Sequence, residues 1–161
     1  MLNRYLSQEK PFYPLTPMIT VERSVLVGHS AVRMRTLVED IESYPLFLPW
    51  CGGAHVQSRD EQSTIASLVI DWHGIRQGFT TDNSREGEQA IRIKLVSGPF
   101  RSLSGIWQFK PLEANASKVS LQISYEFSNR LLAAAIGPVF KQLASSLVDA
   151  FVHRADALHG H

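Results

Sequence analysis

Residues 117–128 alternate almost perfectly. Val119, Leu121, Ile123, Tyr125 and Phe127 hold every second position, and Lys118, Ser120, Gln122, Ser124, Glu126 and Ser128 hold the others. Successive side chains of a strand point to opposite faces of its sheet, so this segment is a strand with one apolar and one wet face. Antiparallel sheets commonly leave one face to water, and the apolar face then needs a cover. The chain contains one long candidate. Leu132, Ile136, Val139, Phe140, Leu143, Leu147, Phe151, Ala155 and Leu158 recur at steps of three and four, the stripe of an amphipathic helix. Lys141, Gln142, Asp149 and Arg154 fall mostly off it. Gly137-Pro138 interrupts the stripe, and a proline inside a helix costs about 3 kcal/mol. The helix is therefore expected to kink there, or to break with Pro138 opening its main segment.

The rest of the chain supplies more strands. Ile19, Val21, Val25 and Val27 share a face over residues 19–27, with Arg23 as an exception on it. Ser30 is placed to cap a helix carrying Val32, Met34, Leu37, Val38 and Ile41 at helical spacing. Gly52-Gly53 is expected to form a turn. Strands are then predicted near 54–60, 63–73, 75–84, 89–97 and 102–111, with connections short enough for hairpins. The resulting fold class is α+β: a curved antiparallel sheet of about seven strands wrapped around a long C-terminal helix, with two short helices after strand 1.

At 161 residues the chain is long enough for one real core. Residues 1–17 are expected to be a flexible N-terminal extension ahead of a domain over 18–161. Met18 directly precedes the first strand and is an alternative start. The formal net charge of +1 gives no global reason to expect DNA or other nucleic acid as a partner. The lone cysteine, Cys51, leaves no intramolecular disulfide and fits a reducing compartment. The longest uncharged run, Ser43 to Ser58, has 16 residues and holds two prolines and two glycines. A spanning helix needs about 18 or more apolar residues, so no membrane span is expected, although transient membrane contact is allowed. Residues 1–17 hold charges and prolines and no apolar block. A cytoplasmic protein is expected.

One short segment makes the chain recognisable. Tyr44-Pro45-Leu46-Phe47-Leu48-Pro49-Trp50-Cys51 is apolar, aromatic and twice broken by proline. Its prolines exclude a central strand, and it is expected to form the second short helix, with Pro45 in the first turn. The octapeptide resembles the signature of the coenzyme Q-binding, polyketide cyclase/dehydrase-like group of the START-like superfamily, which includes the bacterial ribosome association toxin. Residues 98–109 (GPFRSLSGIWQF), 125–129 (YEFSN) and 147–155 (LVDAFVHRA) resemble the same group. The resemblance runs from about Ile19 to Leu158 and implies the helix-grip fold. The family pattern usually lacks a proline at the position of Pro138.

A single helix over a strongly curved sheet leaves an elongated apolar space. Ligand pockets typically measure ~300–1,000 Å³. The inward positions are Leu68, Ile70, Trp72, Phe79, Ile93, Leu95, Leu103, Trp107, Leu121, Ile123 and Tyr125, with Phe140, Leu143, Leu147 and Phe151 from the helix. Tyr44, Phe47 and Trp50 are expected at the mouth. Each of these alone is by default a core residue, because aromatic and branched side chains dominate cores. The resemblance implies an isoprenoid quinone or another lipid as ligand.

Chemistry is harder to find. His29, His55, His73, His153, His159 and His161 form no zinc pattern, and Cys51 has no C-x-x-C partner. No catalytic residue, metal or obligatory cofactor is expected, apart from a bound ubiquinone or lipid. Asp71 and His73 share one strand face and are the only acid–base candidate, on the wet side. Arg33, Arg35, Arg130, Lys141 and Arg154 are solvated charges or parts of a ribosomal RNA contact. The first reading is a non-enzymatic carrier of a hydrophobic small molecule that supports respiration. The alternative is a protein resembling the ribosome association toxin, which binds the large ribosomal subunit and blocks subunit joining. A polyketide cyclase is a weaker third.

Overall fold

The structure, a computed structural model, describes residues 16–160. The order is β1 (Ile19–Val27), α1 (Ala31–Glu39), a 3-10 helix (Ile41–Leu46), β2 (Cys51–Arg59), β3 (Ser63–Trp72), β4 (Ile75–Glu86), β5 (Ala90–Ser97), β6 (Phe100–Glu113), β7 (Ala116–Phe127) and α2 (Arg130–His159). The strands form one seven-stranded sheet in the order β1-β7-β6-β5-β4-β3-β2. All neighbours are antiparallel. The expected α+β helix-grip architecture is present.

β1 and β2 are the two edges of this sheet, so the short helices between them carry the chain from one edge to the other. Ser30 caps α1, its hydroxyl accepting from the Arg33 amide at 3.1 Å. α1 ends at Glu39, and Ile41 begins the 3-10 helix instead of extending the stripe. That helix starts earlier than the octapeptide, so Pro45 lies near its end rather than in its first turn.

The sheet bends through irregular pairing. Register shifts occur between Cys51 and Gly53, Val56 and Ser58, Thr80 and Thr81, Phe100 and Ser102, and Pro111 and Glu113. Such bulges increase local twist and curvature. Gly52-Gly53 is part of this, lying inside β2 at a bulge and not in a turn. The glycines that suggested a chain reversal allow a strand to bend instead. Gly98 has φ +148°, and a Cβ there would come within 2.7 Å of the Phe79 Cβ, so only glycine fits between β5 and Phe79.

α2 runs unbroken from Arg130 to His159 through Gly137 and Pro138. Of the expected kink or break, the break is absent. Pro138 forfeits one backbone hydrogen bond, while Ile136 and Phe140 on either side of it are buried against the sheet. Asn129 caps the helix, accepting from the Leu132 amide at 2.9 Å. By length and composition α2 also suffices to cross a membrane, which a count of uncharged runs had missed because Lys141 divides it. Its buried stripe of Ile136, Phe140, Leu143, Val148 and Phe151 packs into the core.

Arg23, the exception in β1, reaches Asp149 of α2 at 3.0 Å. It therefore faces the helix like its apolar neighbours. The expected extension over 1–17 lies outside the described residues up to residue 15. Thr16 is buried, and its hydroxyl donates to the Phe127 carbonyl at 3.0 Å.

Candidate functional site

Between the concave sheet and α2 lies a chamber of about 90 Å³. A water needs about 10–15 Å³, so the chamber has room for a few. An apolar cavity of about 150 Å³ takes up benzene, so a ring fits here once the walls yield slightly. A long polyprenyl tail requires α2 to move against the sheet.

The walls come from four elements. Tyr44 and Trp50 flank the chamber from the segment before β2. Leu68, Phe79, Ile93, Leu103, Trp107 and Ile123 line it from the sheet, and Phe140, Leu143, Leu147 and Phe151 line it from α2. Phe47, Ile70, Leu95 and Tyr125 stand outside the lining, as do Trp72 and Leu121. Ile70 is fully buried, with Cys51 of β2 as its cross-strand partner. Leu95 is half-buried, paired with Thr81 at the β4–β5 irregularity. Tyr125 belongs to a packed cluster with Phe100, Phe127 and Phe140, its ring 4.6 Å from that of Phe140. Phe47 sits edge-on to Phe151 at 5.1 Å with the Arg154 guanidinium 5.2 Å above its own ring.

Sequence reasoning missed Val38, Glu39, Ile41, Thr64, Ala66, Thr81, Asn83, Ile91 and Ala144, all of which line the chamber. The signal for several was in the alternation: Thr64 and Ala66 continue the face of Leu68, and Thr81 and Asn83 continue that of Phe79. Their small or polar side chains obscured it.

The chamber therefore has a polar margin. Asn83 donates through Nδ2 to the Thr64 carbonyl at 3.2 Å and to Thr81 Oγ1 at 3.0 Å. Glu39 accepts from Arg85 Nε at 2.7 Å and Nη2 at 2.9 Å. Arg35 Nε stands 3.4 Å from the same carboxylate, and its Nη1 stands 3.2 Å from Glu88. These pairs tie the end of α1 to β4 and the β4–β5 hairpin. Arg85 is held further into its charged form by the Glu39 hydrogen bonds and charge. Tyr44 donates its hydroxyl to the Val38 carbonyl. Burial, and then the nearby Asp40 carboxylate, push that hydroxyl far above the ordinary tyrosine range.

The chemistry candidates read from sequence do not converge here. His73 lies in a turn with φ +51°, and Asp71 binds Arg76 at 2.8 Å, so the two form no acid–base pair. Cys51 is buried, which raises its thiol above the ordinary value; a thiol so placed is a packing residue. Among the described residues no group of three His, Cys, Asp or Glu is arranged to hold a metal ion. The basic residues do not join into one patch, because Arg130 and Arg154 are about 36 Å apart along a helix rising 1.5 Å per residue. His29 was not singled out by sequence, yet it is buried and bridges two helices. Its Nε2 meets Asp156 at 2.7 Å and its Nδ1 meets Arg33 at 3.3 Å. A guanidinium only donates, so Nδ1 accepts and Nε2–H faces the carboxylate.

A sheet gripping one helix over an apolar hollow with a polar margin defines the START-like helix-grip fold. The chain belongs to the family described as polyketide cyclase / dehydrase and lipid transport, which matches residues 27–152. It is 41% identical over 143 residues to the ribosome association toxin RatA of Vibrio cholerae, covering 89% of this chain and 99% of that one. It is 25% identical to the mitochondrial coenzyme Q-binding protein COQ10 homolog B of Xenopus laevis, over 88% of this chain and 60% of that one. A Streptomyces aromatase/cyclase shares the fold with a TM-score of 0.75 at 15% identity, over 87% of this chain and 94% of that one.

Proposed function

We propose that this protein is a non-enzymatic carrier that holds a hydrophobic small molecule, of the isoprenoid quinone or lipid class, between the sheet and α2. The observation that carries this reading is the chamber itself: apolar on most of its wall, bounded by Glu39, Thr64, Thr81 and Asn83, and not filled by its own side chains. Burying each CH₂ of a ligand there is worth roughly 0.8 kcal/mol. A role in respiration, in the cytoplasm, is part of this proposal; the likeness to a coenzyme Q-binding relative supports the quinone ligand. The carboxylate at the margin is engaged by arginine, which speaks for binding over acid–base catalysis. Cyclase activity is the weaker alternative. Organic extraction of the purified protein followed by mass spectrometry tests the carrier reading: a quinone or lipid in stoichiometric amount is expected. Extracts that stay empty, together with no uptake of added quinone, contradict it.

A second reading is favoured by the 38–41% identity to several bacterial ribosome association toxins. In it, the outer surface binds the large ribosomal subunit and blocks subunit joining, while the chamber keeps its ligand. Co-sedimentation with 50S subunits at two salt concentrations tests this. Binding that weakens as salt rises is expected, because phosphate contacts release counterions; no co-sedimentation at either salt removes this reading.

A further inference from the structure

We infer that Glu39, Thr64 and Asn83 form the ligand's doorway and Thr81 its head-group seat, selecting an amphiphile whose head carries an oxygen acceptor such as a quinone carbonyl. This rests on the carrier reading. Glu39, Thr64 and Asn83 line both the chamber and a polar cleft outside it, whose other walls include Arg59, Ser63 and Arg85. Those three residues are therefore the partition between oily interior and water. The lip expected at Tyr44, Phe47 and Trp50 is closed instead: Tyr44 and Trp50 are buried, and Phe47 is pinned between Phe151 and Arg154.

The partition is held in a way that permits opening. Glu39 is the last residue of α1, and its grip on β4 is the two-pronged contact with Arg85. The two side chains are 29% and 38% exposed, and ion pairs so accessible to water contribute little. Releasing the contact lets the Glu39 side chain swing out of the partition, while Arg35 still holds Glu88 and Val38 stays in the core. The polar seat has a donor to offer. Thr81 is buried, and its oxygen accepts from Asn83. Its own hydroxyl proton has no acceptor among the described residues. A carbonyl oxygen entering from the cleft meets that proton at the margin, and its hydrocarbon part continues among Leu68, Ile93, Leu103 and Leu147. Buried polar groups gain most from finding a partner, so the head, rather than the tail, sets orientation.

Stopped-flow tryptophan fluorescence with two probes tests this: a ubiquinone bearing two isoprene units, and 2,6-dimethylocta-2,6-diene, a hydrocarbon of that tail length with no oxygen acceptor. Glu39→Gln and Arg85→Ala are expected to raise association and dissociation rates several-fold while leaving Kd within about twofold. Thr81→Val, which keeps shape and removes the donor, is expected to weaken the quinone about fivefold, the worth of one ordinary hydrogen bond, and to leave the hydrocarbon unchanged. Thermal melts confirm that each variant is folded, and Arg85→Lys replaces Arg85→Ala if it is not. Rates unmoved by Glu39 and Arg85 substitution but raised by Phe47→Ala return the doorway to the aromatic lip. Equal effects of Thr81→Val on both probes, or none, remove the head-group seat. In either case quinone uptake by the wild-type chain leaves the carrier reading standing; uptake of neither probe by the wild-type chain removes both.

Discussion

The concave interior has two halves, and only one is solid. Around the start of α2, Phe100, Tyr125, Phe127 and Phe140 interlock with ring centroids 4.6 to 6.2 Å apart. Toward the middle of the helix, Ala66 on β3 faces inward and Ala144 is the small residue on α2, with leucines and isoleucines around them. Large rings meeting rings close the first half; an alanine where a leucine would fit leaves the second half open. Aromatic pairs at such distances add about 0.5–1.5 kcal/mol beyond their burial, whereas a void forfeits the contacts its lining would have made. The filled half thus anchors the helix, and the hollow half is free to take a guest.

The sharpest way to break this comparison is to empty the filled half. Phe127→Ala is expected to lower stability by about 3–5 kcal/mol, the usual cost of deleting a buried phenyl ring, read as a drop in the urea midpoint. Filling the hollow half is the converse. Ala144→Leu is expected to cost less than about 1.5 kcal/mol, because the void absorbs methyl groups that a packed core would reject, yet to reduce quinone uptake more than tenfold. Equal destabilisation by both changes would erase the distinction.

A subtler test concerns Tyr125, whose buried hydroxyl makes no hydrogen bond among the described residues. Tyr125→Phe is expected to be neutral or to stabilise by up to about 1 kcal/mol, since it removes an unsatisfied polar group. Burial raises the Tyr125 and Tyr44 hydroxyls above the ordinary value of 10.0. The folded chain then keeps protons that the unfolded chain loses, so stability is complete below pH 10 and falls as pH rises above it. Tyr125→Phe should make that alkaline decline shallower in a pH series of denaturant midpoints. The smallest effect is expected at Arg23→Ala. Its pair with Asp149 is about half exposed on both sides, so the loss should stay below about 1 kcal/mol.

The sequence was most legible where one physical rule governs one element. The alternation in β7 and the stripe in α2 follow from periodicity alone, and both stand in the structure within a residue or two. Legibility failed where two rules compete. Gly52-Gly53 satisfies both turn and bulge, and only its pairing with β3 decides for the bulge. Pro138 opposes a helix that flanking burial sustains. The apolar part of the lining was readable from the inward face of each strand, but its polar members Thr64, Thr81 and Asn83 look like surface residues by side-chain chemistry although they share the face of Leu68 and Phe79. The contact of His29 with Asp156 joins residues 127 positions apart, and no local pattern encodes it.

Titration of the purified chain with a ubiquinone of two isoprene units, followed by tryptophan emission, tests the central claim most directly, because Trp50 and Trp107 both border the chamber. Saturable one-to-one quenching that disappears in Ala144→Leu is the predicted result. Emission that never responds to the quinone, or that responds equally after the hollow has been filled, would contradict it.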